Sequence, residues 1–209
     1  MSEYIWLSHS LTDVSNWRAL TSDLAERDRE FAIKAGERND AGESLGPEYF
    51  PTVIWPAENA KKSDTSAAAD FFYAGTHWIV SGRFAELLRQ FEMGGAHLYP
   101  VKFLQSDRQT PVKGEWFCLN FGNQKTALLP DESQGLFKPS RRKEVWVPSG
   151  PTDFEFAFSG RAVGGAAVWM DPTLMHIVCF SAELGDAMRE LDITRGFKGL
   201  GDMVKGRVV

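Results

Sequence analysis

A chain of 209 residues fits one domain, or two small lobes sharing a core, and is long enough to bury a sizeable interior without disulfide or metal staples. Hydrophobic residues make up 43% and charged residues 24%, ordinary for a globular protein, while fifteen Phe and seven Trp give an aromatic load that dominates cores and interfaces alike. The net charge of -5 argues against nucleic acid as the main partner, because phosphate binding needs clustered Lys and Arg.

Tyr4 to Leu7 reads as a first strand of bulky residues. Asp13 or Ser15 is placed to cap a helix carrying Trp17, Leu20 and Leu24 on one face and continuing to about Ile33. Residues 36–48 have no period and several turn formers, the signature of a solvated loop. Tyr49 to Pro56 is extended and apolar, its prolines assigning it to a sheet edge. Glu58 to Ala69 is small and polar, a surface connection.

An apolar strand from His77 then runs into a helix capped by Ser81, with Phe84, Leu87, Leu88 and Phe91 as one stripe and Gly94 and Gly95 as its stop. His97 to Leu104 and Glu115 to Phe121 are two strands, an antiparallel hairpin with a long loop. Residues 122–143 read as a surface excursion ending in Arg141-Arg-Lys143. Glu144 to Val147 is a short strand, and Phe154, Phe156 and Phe158 alternate on one face of another. Gly160 to Gly165 turns the chain into a strand ending at Met170, and Met203 to Val209 is a last short strand.

Residues 177–196 repeat the His77 element at an offset of 100. Ser181 takes the place of Ser81, Arg189 that of Arg89, and Leu184, Ala187, Met188 and Leu191 fill the four stripe positions. The class expected is therefore α+β, a mixed and largely antiparallel sheet with two serine-capped amphipathic helices in a repeated strand-helix unit, as a single domain whose related lobes meet near residue 110.

No pattern dictates a chemistry. Gly160 to Gly165 lacks the Lys and Ser or Thr of a phosphate loop, so a plain turn is the reading. His9, His77, His97 and His176 show no metal spacing, and His77 and His176, at the starts of the two copies, are structural first and catalytic second. Cys118 and Cys179 lie apart in apolar runs, as reduced core thiols do. The N-terminus lacks the basic start of a signal peptide and no apolar run approaches the roughly 18 residues of a membrane span, so a cytoplasmic protein with no membrane partner is expected.

Trp78-Ile-Val-Ser-Gly-Arg-Phe-Ala-Glu-Leu-Leu-Arg-Gln-Phe91, Leu98-Tyr-Pro-Val101 and Trp116-Phe-Cys-Leu-Asn-Phe121 resemble the eleventh family of immunity proteins of bacterial polymorphic toxin systems, first catalogued as a domain of unknown function. Ser181-Ala-Glu-Leu-Gly-Asp-Ala-Met188 and the Trp169-Met-Asp171 turn resemble its C-terminal part. The likeness covers about residues 70–200 and rests on apolar and capping positions, so it carries over a fold and no catalytic residue.

The resemblance implies a cytoplasmic protein, not an enzyme and without a cofactor or metal, whose partner is a cognate toxin delivered between bacteria and neutralised in a protein complex. It leaves the oligomeric state open. The partner-binding residues expected are Asp131, Glu132, Arg141 and Arg142, on the excursion of residues 122–143. The alternative is a small hydrolase-like enzyme acting on the toxin's product through His77, His176 or nearby carboxylates, and a third reading is a self-pairing structural subunit.

Overall fold

Phe71, Trp78 and Phe84 from one half of the chain and Trp6, Phe180 and Met188 from its two ends form one buried cluster, and the sheets are arranged around it. The computed structural model describes residues 4–8, 17–58, 60, 69–139, 144–149, 155–175, 177–193 and 204–209. Their elements in chain order are β1 (Tyr4–Ser8), β2 (Trp17–Arg18), β3 (Leu20–Ser22), α1 (Asp23–Arg27), α2 (Arg29–Asp40), β4 (Val53–Pro56), β5 (Phe71–Ala74), β6 (His77–Ser81) and α3 (Gly82–Leu88). There follow β7 (His97–Pro100), β8 (Lys102–Phe103), β9 (Trp116–Asn120), β10 (Leu136–Phe137), β11 (Val147–Pro148), β12 (Ala157–Phe158), β13 (Val168–Met170), β14 (Val178–Phe180), α4 (Ala182–Glu190) and β15 (Val204–Val208). The chain is an α+β protein with mixed, largely antiparallel sheets.

The repeat goes further than the strand and helix visible in the sequence. One five-stranded sheet has the order β2-β5-β6-β9-β7 and the other, read from its far edge, β13-β14-β1-β15-β12. β5, β6, β9 and β7 pair antiparallel in that order, as do β13, β14, β1 and β15. The register agrees as well: Val80 faces Phe117 across β6 and β9, and Phe180 faces Trp6 across β14 and β1. The Ser81 amide donates to the Asp70 carbonyl at 2.9 Å and the Ser181 amide to that of Ala167 at 2.8 Å, each just before the preceding strand. Arg89 lies 4.9 Å over the Phe117 ring and Arg189 4.8 Å over Trp6. The units β5-β6-α3-β7-β9 and β13-β14-α4-β15-β1 are thus alike, the second with its order permuted so that β1 supplies its final strand.

Residue 110 lies inside the first unit, between β8 and β9, and the two units share one core.

Both serine caps form as their sequence context predicts. Phe84 N donates to Ser81 Oγ and Leu184 N to Ser181 Oγ, each at 3.2 Å. Phe84, Leu87 and Leu88 are buried, as are Leu184 and Met188, each contributing about 1.5–3 kcal/mol of apolar burial. Leu191 departs from the stripe at 48% exposure. Gly185 lets α4 press against β1, since a Cβ there would overlap the Trp6 indole.

Three local expectations are overturned. Residues 17–22 are strands, because β2 is captured by β5 and β3 by β4, and the helix begins only at Asp23, capped by Ser22 through Ala25 N. α2 reaches Asp40, so residues 36–40 are helix and not loop, with Ala32, Ala35, Gly36 and Asn39 buried. β4 is the central strand of the sheet β3-β4-β8, not an edge, and Pro56 sits at its end opposite Leu20. Asp13, Ser15, Phe154 and most of residues 58–69 lie outside the described residues.

The two caps differ in one bond, which allows a test. Ser81 Oγ also donates to Asp70 Oδ1 at 2.5 Å, whereas Ser181 Oγ makes the cap bond alone among the described residues. Ser181→Ala is expected to lower stability in urea by about 1 kcal/mol, and Ser81→Ala by about 1 kcal/mol more, through the lost bond to a carboxylate. Equal losses would show that the Asp70 bond adds nothing.

Candidate functional site

The excursion between the two units forms a small ribbon on the surface. Pro130–Glu132 is a single 3-10 turn, and β10 and β11 pair antiparallel, Phe137 opposite Val147. A two-stranded ribbon is marginal by itself. It is tied down where Leu136 and Trp146 pack against the cluster of Ile5, Leu7, Phe158 and Trp169, and where Trp146 N donates to the Thr173 carbonyl at 2.8 Å. Asp171, 2% exposed, fixes the base: its carboxylate accepts from the amides of Ala127, Leu128 and Thr173 and from the Thr173 hydroxyl.

The outer side of this ribbon is mixed. Phe137 is 46% exposed, one of the few large apolar side chains in that state among the described residues. Asp131 and Glu132 are exposed on the preceding turn, and Arg207 of β15 donates to the Glu132 carbonyl at 2.8 Å with its guanidinium 3.8 Å from the Glu132 carboxylate. Lys138 lies 4.6 Å over the Trp146 ring. Of the expected partner-binding residues, Asp131 and Glu132 are therefore placed together on a solvated turn, while Arg141 and Arg142 lie outside the described residues. Phe137 is not among the expected residues, although its place in the excursion of residues 122–143 and close behind Gly135 is a signal that the sequence carries for an exposed aromatic.

Groups that resemble a catalytic or phosphate site in the sequence are occupied internally. His77 is 1% exposed; its Nε2 donates to the Tyr49 carbonyl at 2.9 Å, which leaves Nδ1 to accept from the Thr76 hydroxyl at 2.8 Å. Burial lowers its pKa to about 4, the Tyr49 bond opposing in part, so it is a neutral structural imidazole. His176 lies outside the described residues. The Gly160–Gly165 turn presents carbonyls rather than amides: Lys125 Nζ donates to Ala162, Gly164 and Ala166 oxygens at 3.3, 2.8 and 2.9 Å, and lies 5.1 Å from the Trp169 ring centroid. That polarity holds a cation. Burial shifts Lys125 downward. Cys118 and Cys179 are free and buried, their thiols pushed upward by burial.

One carboxyl is out of place. Asp40 ends α2, where the helix dipole disfavours an anion. The residue retains partial exposure, yet its carboxyl group is enclosed, with a 2.8 Å bond from Trp78 Nε1. Desolvation pushes its pKa up to about 7, the indole bond opposing and Glu37 adding. Among the described residues no group of three or more His, Cys, Asp or Glu converges as a metal site, and no helix is long and apolar enough to cross a membrane. No protein-family model matches the chain, and no curated protein matches it.

Asp40 and His77 make opposite contributions over one pH window. Asp40, at 3.8 ordinarily and about 7 when folded, contributes stability that is full below 3.8 and lost as pH rises through about 7. His77, at 6.5 ordinarily and about 4 when folded, contributes stability that is full above 6.5 and lost as pH falls through about 4. Their slopes offset in the native protein. In Asp40→Asn, urea midpoints should rise with pH across this window, and in His77→Gln they should fall; parallel curves for the two variants would refute the assignment.

Proposed function

We propose that this protein is an immunity protein that binds and neutralises a cognate bacterial toxin by forming a protein-protein complex, acting in the cytoplasm. The observation that carries the reading is the outer face of the β10-β11 ribbon: an exposed aromatic, Phe137, on a connection between two buried units, accompanied by the anions Asp131 and Glu132 and the cations Lys138 and Arg207. An aromatic anchor inside a mixed polar rim is the usual anatomy of a specific protein interface. The rim pairs are exposed and add little to stability, which leaves them available for partner selection and register.

The resemblance of residues 78–91, 98–101, 116–121 and 181–188 to immunity proteins supports the same reading. Those residues are largely core and capping positions, so the likeness speaks for the scaffold and the ribbon for the recognition. The alternative, a hydrolase-like enzyme acting on the toxin's product through His77, His176 or nearby carboxylates, is disfavoured at His77, whose two nitrogens are already bonded, while His176 lies outside the described residues.

The test is co-expression with a candidate toxin taken from an adjacent gene. The native protein is expected to rescue growth and to co-purify with the toxin. Phe137→Ala should weaken the complex by at least ten-fold, about 1.4 kcal/mol, with an unchanged urea midpoint. Asp131→Lys with Glu132→Lys should slow association more than it speeds dissociation. Rescue without a stable complex would favour the enzyme and overturn stoichiometric inhibition.

A further inference from the structure

The enclosed carboxyls of this protein are served unequally. Asp171 receives four donors, the amides of Ala127, Leu128 and Thr173 and the Thr173 hydroxyl. Asp186 receives the Tyr4 hydroxyl at 2.7 Å and Trp6 Nε1 at 3.0 Å, with Arg189 three residues further along α4. Asp40 receives only Trp78 Nε1, at 2.8 Å, among the described residues. Several donors stabilise a carboxylate, whereas one indole does not offset its loss of water.

The neighbours of Asp40 add no cation. From α2 itself the facing group is Glu37, an exposed anion three residues back; from β5 it is the Tyr73 phenol, and from β6 the Trp78 indole. Tyr73 is neutral, its phenol held above the usual range by burial and then by Asp40 and Glu37. The end of α2 presents the negative pole of its helix. Burial, Glu37 and the helix end therefore all favour the protonated acid, and the Trp78 bond alone opposes them.

The position of Asp40 gives its carboxyl a second place to go. It is the last residue of α2 and is partly exposed. Helix ends open at small cost, since their final carbonyls have no intrahelical partner. Three bonds hold the turn that follows: Ala41 N to the Glu37 carbonyl at 3.0 Å, Gly42 N to that of Asn39 at 2.8 Å, and Gln124 Nε2 to that of Ala41 at 2.8 Å. On one side of it Asn39 is bonded to Leu119, Asn120 and Phe121, and on the other Asn120 holds Glu43 and Leu45. The segment able to open is thus short, residues 40–42, and it carries the one enclosed carboxyl whose charged form finds better partners in water.

We propose that the last turn of α2 is a pH-sensitive latch, seated on the core of the first unit while the Asp40 carboxyl is protonated and swinging out to solvent when it ionises, with release of Trp78 Nε1 and Gln124. The Trp78 ring stays in the core, 4.7 Å from the Phe71 ring and 5.1 Å from that of Tyr73, and water replaces the carboxyl at its N–H. The latch is closed at low pH and opens as pH rises. None of its residues belongs to the β10-β11 ribbon, so it stands whether or not the toxin reading holds.

The test is hydrogen exchange of the full chain between about pH 5.5 and 8.5, expressed as protection relative to an unstructured chain. A carboxyl at about 7 when seated and at 3.8 when free makes opening about 30-fold more favourable across that span. Protection of the Ala41 and Gly42 amides and of the Trp78 indole N–H is expected to fall together by about that factor. Ala32 N, bonded to Asp28, and Leu191 N, bonded to Ala187, should keep theirs. Asp40→Asn, which cannot ionise, should abolish the fall, and Glu37→Gln should make it smaller, because an anion that favours the acid is gone. If Asp40→Asn does not fold, the Glu37→Gln comparison decides the matter. A fall shared by Ala32 and Leu191 would overturn the latch in favour of loosening of the whole chain, and a fall that survives in Asp40→Asn would assign it to another group. Constant protection in the native protein would overturn it as well, by showing that the carboxylate is accommodated in place.

Discussion

The point on which both sheets depend is the stretch Asn120 to Asn123, where β9 ends and the chain crosses to the second unit. Asn123 Nδ2 lies within 3.0 Å of the Met93, Phe121 and Val168 carbonyls, and its Oδ1 accepts from Gly95 N. One side chain thereby ties the segment after α3, the end of β9 and the edge strand β13. Gly122, at φ 58°, permits the crossing, because a Cβ there would collide with the Gly95 carbonyl. Behind it, Asn39 and Asn120 are fully buried and bonded to each other, with Asn39 also serving Leu119 and Phe121 and Asn120 serving Glu43 and Leu45. A strand that ends inside a protein leaves amides and carbonyls without a ladder, and these amide side chains replace it. The structure can leave β9 only where they stand.

The same residues explain what the sequence conceals. α2 has a regular stripe at Ala32, Ala35, Gly36 and Asn39, but it is made of small and polar groups and carries little hydrophobic periodicity. Its burial comes from close approach, since a Cβ on Gly36 would overlap the Thr76 carbonyl oxygen, and from the Asn39 bonds. Helical spacing at Trp17, Leu20 and Leu24 misleads for the opposite reason: the period is present, and pairing with β5 and β4 from distant sequence overrides it. Strong local signals survive. The serine caps need no distant partner to form and read correctly in both copies, while the last position of each stripe, Phe91 and Leu191, falls beyond the end of its helix. The permutation could not be read, because β1 and β9 share a register and a cation-aromatic contact but no sequence pattern.

Polarity accounts for the fate of the apparent site residues. A glycine turn is read as an anion cradle when its amides converge, yet here the carbonyls converge and Lys125 fills them. His77 has lost its basic range to burial, and Asp40 has gained a proton in the range where His77 gives one up. Folding thus removes a proton from one group and retains it on the other, which spares the core two buried charges while leaving its net proton exchange small. Asp131 and Glu132 were placed on a surface turn by composition alone, and a turn of that composition stays on the surface; the aromatic beside them depends on how far the ribbon stands from the core, which only the fold decides.

The permuted repeat also separates scaffold from function. Elements common to both units, the paired strands and the two capped helices, are consumed by the shared core, and substitution there acts on stability. What distinguishes the units is extra chain. The first unit inserts β8 between β7 and β9, and the connection leading to the second unit builds the β10-β11 ribbon. The ribbon exposes a side chain that the repeat has no use for, Phe137. β8 pairs with β4 and buries Phe103, so it is held by the fold, whereas the outer side of the ribbon is free to vary in sequence while the asparagine crossing and the caps hold the frame.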